Sequence, residues 1–469
     1  MGTVSSLIDL ARQTMMADEF ALNVVGNNVA NVNTPGYTRE TVAWETRDSV
    51  TINGSIVGQG VSVGTGGVSQ RDRILEQRVH QQTQTVAQST ALQTALSEVQ
   101  DVFGLSATST SASSTALGSA IDNFFGSLST LTTNPSDSAT RQAVITAANN
   151  LANAFNNASG QLTSISADLN QQVSDSADQV NHLTSTIASL NQQITSLSPD
   201  ADAGTLEDQR QQAIAELSQY IGLNQITNES NGMTLTTTNG AVLVSGSQSY
   251  DMTASSVDGV VHLLAGPNQT DITAGVTGGS LGGILVARDQ MIPEYQSSLD
   301  QLAYTMATSI NQANEQGLDG SGAAGQAIFS IPGTATGAAS QIQLATTDPQ
   351  AVAAAAIGEG TTGTGNALAM AGLASDSIVS GQTPVGFYAS LLAQIGDATA
   401  DATNDVTEQQ ATLDQLTTQR NSISSVSLDE EASNLDTYQR SYQAAAKVFS
   451  IADQIMASAL NLGVETSVS

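Results

Sequence analysis

Residues 144–194 read VITAANNLANAFNNASGQLTSISADLNQQVSDSADQVNHLTSTIASLNQQI, and their apolar positions decide the fold class. Val144, Leu151, Phe155, Leu162, Ile165, Leu169, Val173, Val180, Leu183, Ile187, Leu190 and Ile194 follow one another in steps of three, four or seven. That is the spacing of one helix face, and sustained over this length it predicts a long helix across 137–198 with helical neighbours. Outward from it, similar patterns predict helices at 72–103, 117–131, 205–221, 284–316 and 385–424. The expected fold is mainly α, a bundle of long helices.

Two segments read differently. Residues 222–280 alternate apolar and polar side chains, as in Met233-Thr234-Leu235-Thr236 and Val260-Val261-His262-Leu263-Leu264, around Asn239-Gly240 and Asp258-Gly259. Asn-Gly and Asp-Gly pairs between alternating runs predict a small inserted β domain made of hairpins. Residues 317–384 are rich in Gly, Ala and Thr, with one expected strand at Gln341–Leu344, and are expected to be loop-rich and partly ordered.

At the extreme ends the helical spacing returns. Val4, Ile8, Ala11, Met15, Leu22, Val25, Val29 and Val32 form one stripe, broken by a polar slot at Asp18 and Glu19 and ended by Asn33-Thr34-Pro35-Gly36. Near the C-terminus Leu435, Tyr442, Phe449 and Met456 share one heptad position, and Tyr438, Ala445, Ala452 and Ala459 share the other. Large residues thus face small ones in a coiled-coil seam. Asp429, Glu430 and Glu431 fall in its first turn, where negative charge complements the helix dipole, and Gly463 is the expected stop.

These two helices have no neighbour in sequence, so one reading pairs them with each other and a second also packs them on other subunits. On the second reading the contact residues are Ile8, Met15, Leu22, Val25, Val29, Asn31, Pro35, Gly36 and Tyr37 at one end. At the other they are Leu435, Tyr438, Tyr442, Ala445, Phe449, Ala452 and Met456. The expected organisation is nested: 1–40 and 425–469 are paired terminal helices, 41–221 and 281–424 are the helical bundle, and 222–280 is the β insertion. Such a chain is an elongated multidomain rod with a knob.

Composition narrows the function. The 469 residues carry 12 basic and 43 acidic side chains, a net charge of −31, and Lys447 is the sole lysine. Nucleic acid is excluded as a partner because phosphate neutralisation needs clustered Lys and Arg, and an anionic membrane is disfavoured for the same reason. Without cysteine there is no disulfide, zinc–thiolate site or thiol nucleophile.

MGTVSSLIDLARQTMMADEF lacks a basic leader and a continuous apolar core, so no Sec-type signal peptide is expected, and no apolar run is long enough to cross a bilayer. His80, His182 and His262 are far apart and outside any metal-binding spacing. Gly64-Thr65-Gly66-Gly67 has no following Lys and reads as a turn, and Asp200-Ala201-Asp202-Ala203-Gly204 departs from a calcium loop in its Gly and closing acid. Asn228-Glu229-Ser230 and Asn268-Gln269-Thr270 match the short glycosylation acceptor pattern. No catalytic, metal or cofactor site is expected.

Asn27-Asn28-Val29-Ala30-Asn31-Val32-Asn33-Thr34-Pro35-Gly36-Tyr37-Thr38-Arg39 is similar to the A-N-x-x-T-P-G-Y signature of the axial flagellar proteins. Ala120–Phe125, then Leu131-Thr132-Thr133-Asn134-Pro135-Ser136-Asp137 with Arg141-Gln142, resembles the flagellar hook-associated protein 1 family. So do Asp208-Gln209-Arg210, Gly317-Leu318-Asp319-Gly320, and the run from Val426-Ser427-Leu428-Asp429-Glu430-Glu431 through Tyr438–Ala446. Ser424-Ser425-Val426 stands where the family has S-G-V, and the insertion after 222 is short, which suggests one outer domain in place of two.

The resemblance implies a structural subunit exported uncleaved through the flagellar type III apparatus, which assembles with copies of itself in a ring or helical array between hook and filament. Its implied partners are the hook protein, the next hook-associated protein and an export chaperone, with no enzyme activity, cofactor or membrane insertion. A hook or rod protein of the same superfamily is the alternative, although those chains are dominated by β domains; an exported adhesin is a further one.

Overall fold

A computed structural model describes residues 2–52, 55–105, 116–197, 204–227 and 232–465. The segments Asp200–Ala203 of the acidic loop and Asn228–Ser230 of one acceptor pattern lie outside the described residues. Eleven α-helices order the described chain: α1 (Gly2–Ala30), α2 (Arg73–Phe103), α3 (Ala116–Leu131), α4 (Ser138–Ser196), α5 (Gly204–Tyr220), α6 (Gly279–Val286), α7 (Ile292–Glu315), α8 (Ala338–Gln341), α9 (Gly365–Gly372), α10 (Pro384–Ser424) and α11 (Leu428–Glu465).

The 59 residues of α4 span about 90 Å at 1.5 Å per residue, which makes the molecule elongated. The Asp137 carboxylate caps α4 by accepting the Ala139 amide at 3.1 Å. All twelve apolar positions of its stripe are buried against α2, α3, α5, α6 and α7. A one-turn π segment at Ala287–Met291 joins α6 to α7, so the predicted helix at 284–316 is a continuous run with one irregular turn.

Seven strands form the β insertion: β5 (Leu223–Thr227), β6 (Met233–Thr237), β7 (Val242–Ser245), β8 (Gln248–Ser249), β9 (Thr253–Val257), β10 (Val260–Ala265) and β11 (Thr270–Asp271). They make two antiparallel sheets, ordered β5-β6-β7-β8 and β11-β10-β9. Asp258 (φ 50) and Gly259 (φ 83) are both left-handed, as the tight turn between β9 and β10 requires.

Three asparagines of α4 hold this insertion by its backbone. Asn170 accepts from Val261 N at 3.0 Å, Asn181 both accepts from Met252 N and donates to its carbonyl, and Asn191 does the same for Met233. Their spacing of about three helical turns puts them on one face, where each bonds backbone groups of the insertion. Gly222 and Gly279 stand where the chain enters and leaves the insertion so closely that a Cβ on either would collide with backbone of the other limb.

The segment 317–384 is loop-rich but folded throughout. Ile328, Phe329, Ala339, Ile342, Val352 and Ala353–Ala355 are buried, and Asn311 and Asn314 of α7 bond backbone groups of the loops, as α4 does for the β insertion. The expectation of partial order fails because alanine carries no amphipathic signal and yet fills tight space. The expected strand is shorter and later: Gln341 ends α8, and β13 (Gln343–Leu344) pairs with β12 (Phe329–Ser330).

Three further departures concern the ends. Residues 41–69, placed with the helical bundle from sequence, form with Glu40 an antiparallel ribbon of β1 (Glu40–Thr46) and β4 (Val61–Ser69), extended by β2 (Val50–Ile52) and β3 (Ser55–Val57). Gly64–Gly67 is no turn but lies inside β4, where the register between Val42↔Gly67 and Trp44↔Val63 shifts by a bulge. Gly463 does not stop α11, which continues to Glu465, a glycine near a helix end being only mildly unfavourable.

Candidate functional site

The terminal helices α1 and α11 pair antiparallel within one chain. Asn28 near the end of α1 meets Glu431 near the start of α11, and Asp18 meets the Ser441 hydroxyl two to three turns further along. The floor of the pair is made of small residues: Ala11, Ala17, Ala21, Ala445 and Ala452 are buried, together with Val24 and Val25. Ile8, Met15, Leu22, Tyr438, Tyr442, Phe449 and Met456 are half-buried, and Val29 and Leu435 face outward.

A second stripe on α11 was not read from the heptad. Val448, Ile451 and Ile455 are 45%, 55% and 50% exposed, and on α1 Met16 is 61% exposed. Val448, Ile451 and Ile455 follow one another in steps of three and four beside the seam. The pair therefore leaves apolar surface open on both helices after the intramolecular seam is made.

At the base of the pair the chain folds into an elbow. The Asn31 amide donates to the Asn27 carbonyl at 3.0 Å and to its side chain at 2.9 Å, and Pro35 and Gly36 (φ 79) turn the chain at the surface. Tyr37 donates its hydroxyl to Asn28 Oδ1 at 2.9 Å, and the Asn28 amide donates to the Glu40 carbonyl (2.8 Å) and to Glu431 Oε2 (3.1 Å). Burial first, then the nearby carboxylates of Glu40, Asp208 and Glu431, pushes the Tyr37 phenol up, so it stays a donor.

Thr38 and Arg39 then face opposite ways, as neighbours on an extended chain do. The Thr38 amide donates to Asp208 Oδ2 of α5 at 3.0 Å, and Arg71 joins Thr38, Glu207 (3.0 Å) and Asp208. Burial raises the Asp208 carboxyl, opposed by its bonds from Thr38 and by Arg71. Arg39 turns toward α11, with Nε 2.8 Å from Glu431 Oε1 and a terminal nitrogen 3.1 Å from Glu430, while its backbone amide donates to Ser424 at 2.9 Å.

The ribbon completes the elbow by lying across the pair. Trp44 stacks on Tyr438 of α11 with ring centroids 5.9 Å apart, and at Gly60 (φ 82) the backbone passes so near Leu10 of α1 that a Cβ would collide with it.

The titratable groups of the bundle are placed for structure. His80 lies 3.8 Å from Glu76, a distance that suggests an ion pair, but burial lowers its pKa to about 4 and Arg420 and Arg71 add to this against Glu76; the ring is neutral at pH 7. His262 meets Asp271 at 2.9 Å on the rim of the β insertion. Among the described residues no three His, Cys, Asp or Glu converge as metal ligands, and no helix is long and apolar enough to cross a membrane.

Comparison with known proteins falls on the same elements. The helical domain of flagellar hook-associated protein FlgK matches residues 105–329, the flagella basal body rod protein family matches 8–38, and the C-terminal family of flagellar basal body rod FlgEFG proteins matches 418–462. Flagellar hook-associated protein 1 of Escherichia coli (strain K12) is 29% identical over 98% of this chain and 100% of its own length. That of Bacillus subtilis (strain 168) is 27% identical over 97% of both chains. The solved flagellar hook junction protein FlgK from Burkholderia pseudomallei superposes with a TM-score of 0.67 at 19% identity, over 75% of this chain and 100% of that one, and so shares the fold.

Proposed function

Because the chain belongs to the flagellar hook-associated protein 1 family, which is structural and not enzymatic, we propose that its terminal pair is the element that packs against neighbouring subunits. The protein is a subunit of the bacterial flagellum at the junction between hook and filament. Its neighbours on this reading are copies of itself in a ring or helical array, the hook protein and the next hook-associated protein. A flagellar export chaperone delivers it to the type III apparatus, which exports it without removing a signal peptide.

The observation that carries this is the coincidence of family and surface. The two rod-type families match α1 and α11, the elements that different axial proteins have in common, and those are the elements that leave Val448, Ile451 and Ile455 open beside a half-covered seam. Apolar side chains open at helical spacing on a helix that already has one partner fit a second partner. Ile8, Met15, Leu22, Phe449 and Met456 are half-buried within the pair, and on this reading neighbouring subunits cover what the pair leaves open.

The test uses a strain lacking the gene, complemented with Ile451→Asp. The purified variant melts within about 0.5 kcal/mol of the parent, as a surface change should, while the cells make hooks without filaments. Normal filaments on that strain would remove the stripe from the interface. Normal filaments on the uncomplemented strain would instead overturn the junction role itself.

A further inference from the structure

We propose that Arg39 and Glu431 are positioning residues: their ion pair sets the angle at which the terminal pair leaves the bundle. Three chain segments cross at the elbow, residues 31–39, Ser69–Asp72 and Ser424–Leu428, and Glu431 accepts from Arg39 in the first of them and from Asn28 near the end of α1. The negative charge at the start of α11 was expected to complement the helix dipole. Asp429 and Glu430 suit that role at the surface, but Glu431 is 1% exposed and 403 residues from Asn28, whose amide it accepts.

The arrangement divides labour between adjacent residues. Thr38 is bonded to Asp208 and Arg71, and through them to α5, so it belongs to the bundle. Arg39 is bonded to Glu430, Glu431 and Ser424, so it belongs to α11 and its approach. One peptide therefore rivets two bodies, and the contact it makes is polar. A polar contact between bodies permits relative motion unless specific bonds fix it. A buried carboxylate held by a guanidinium and an amide is such a bond, because separating its members leaves a charge in an apolar setting.

Gln70 and Ser424 close the loop: the Gln70 amide donates to the Arg39 carbonyl at 2.8 Å, and the Ser424 hydroxyl donates to the Gln70 carbonyl at 2.9 Å. Their bonds fix where the segments cross. The direction of α11 beyond that point is fixed by Glu431, one turn into the helix. The angle matters for a subunit that must present its terminal pair to neighbours in one orientation, yet the inference stands on the isolated chain and can fail or hold independently of the assembly role.

The chain has no cysteine, so two can be introduced without interference. Spin labels at Gln161→Cys on α4 and Gln454→Cys on α11, both exposed, report the distance between bundle and terminal pair in the purified full chain. Parent protein should give one narrow distribution. Arg39→Glu and Glu431→Arg should each widen it roughly twofold, the behaviour of bodies no longer held by specific contacts.

The double variant, with the charges exchanged, should narrow the distribution again, a rescue that simple loss of stability does not produce. Amide exchange of α4 should be unchanged in all three, so a wide distribution is motion and not unfolding. Single variants with the parent's distribution overturn the proposal. So does a double variant as wide as the singles, which would mean that space at the elbow and not the charge pair sets the angle.

Discussion

The bundle and the terminal pair are written in the same spacing of threes and fours and end up covered to different depths. Phe155 lies fully buried on α4, a helix packed against α3, α5, α7 and other elements, whereas Phe449 is half-buried on α11, whose main partner is α1. Helical periodicity says that a face will be covered, and coverage depends on how many elements the chain brings to it. The bundle receives neighbours from the length of the sequence. The terminal pair receives one helix and a two-stranded ribbon, and its remaining apolar surface is the difference between them.

The largest effect that this comparison predicts is on the bundle. Phe155→Ala should destabilise the purified chain by about 4 kcal/mol, since it empties a fully buried apolar site. Phe449→Ala should cost the monomer less, about 2 kcal/mol, because part of its surface is already in contact with solvent, and yet should detach filaments. Chemical denaturation of both proteins, beside motility of cells that carry them, checks the contrast. A severe loss for Phe449→Ala in cells that swim normally would make the seam ordinary core.

Acid should separate the two regions next. His80 is neutral in the fold with its pKa lowered to about 4, while in the unfolded chain it takes a proton near its ordinary value of 6.5. As pH falls through that window the unfolded state gains a proton that the folded state refuses, so the stability associated with His80 is complete above about 6.5 and is lost toward 4. The loss approaches about 3 kcal/mol at the lower limit. His80→Gln should flatten the bundle's pH profile between those limits; an unchanged profile would assign the acid sensitivity elsewhere.

What the sequence made legible follows the same division. The helices of the bundle were readable because Val144 through Ile194 repeat one local rule many times over. The ribbon at 40–69 was not, since Glu40–Thr46 is a short alternation and the glycines of its partner strand look like a turn until the bulge opposite Ala43 is known. The core of 317–384 was hidden because Ala353, Ala354 and Ala355 are buried side by side, which no periodic pattern marks. The paired terminal helices were legible as seams, and their subunit-contact role remains a proposal. Of the elbow, the turn at Asn33–Gly36 was legible and the bonding was not: Asn28 and Glu431 are distant in sequence, and their pairing comes only from the fold.

The smallest effect is expected at the polar slot in α1, and it has the opposite sign to His80. Asp18 is 3% exposed in the floor of the terminal pair, with Oδ2 unpartnered and the Ser441 hydroxyl bonded to the carboxyl. Burial therefore raises its pKa, with the serine acting weakly against the shift. A carboxyl raised in the fold takes up its proton at a higher pH there than in the unfolded chain, so protonation favours the paired state. The pair should tighten as pH falls through the raised value, while the bundle loosens. Asp18→Asn supplies a neutral side chain of the same shape at every pH and should strengthen the pair at pH 7 by a few tenths of a kcal/mol, a modest gain because the site lies in a thin, partly solvated layer. Amide exchange of α1 and α11 at pH 7 and pH 5 is the measurement. Protection should rise at pH 5 in the parent and be equal at the two pH values in Asp18→Asn. If the parent's terminal helices lose protection on acidification, as the bundle does, Asp18 is held charged by a contact stronger than the Ser441 hydroxyl, and the two regions respond to acid alike.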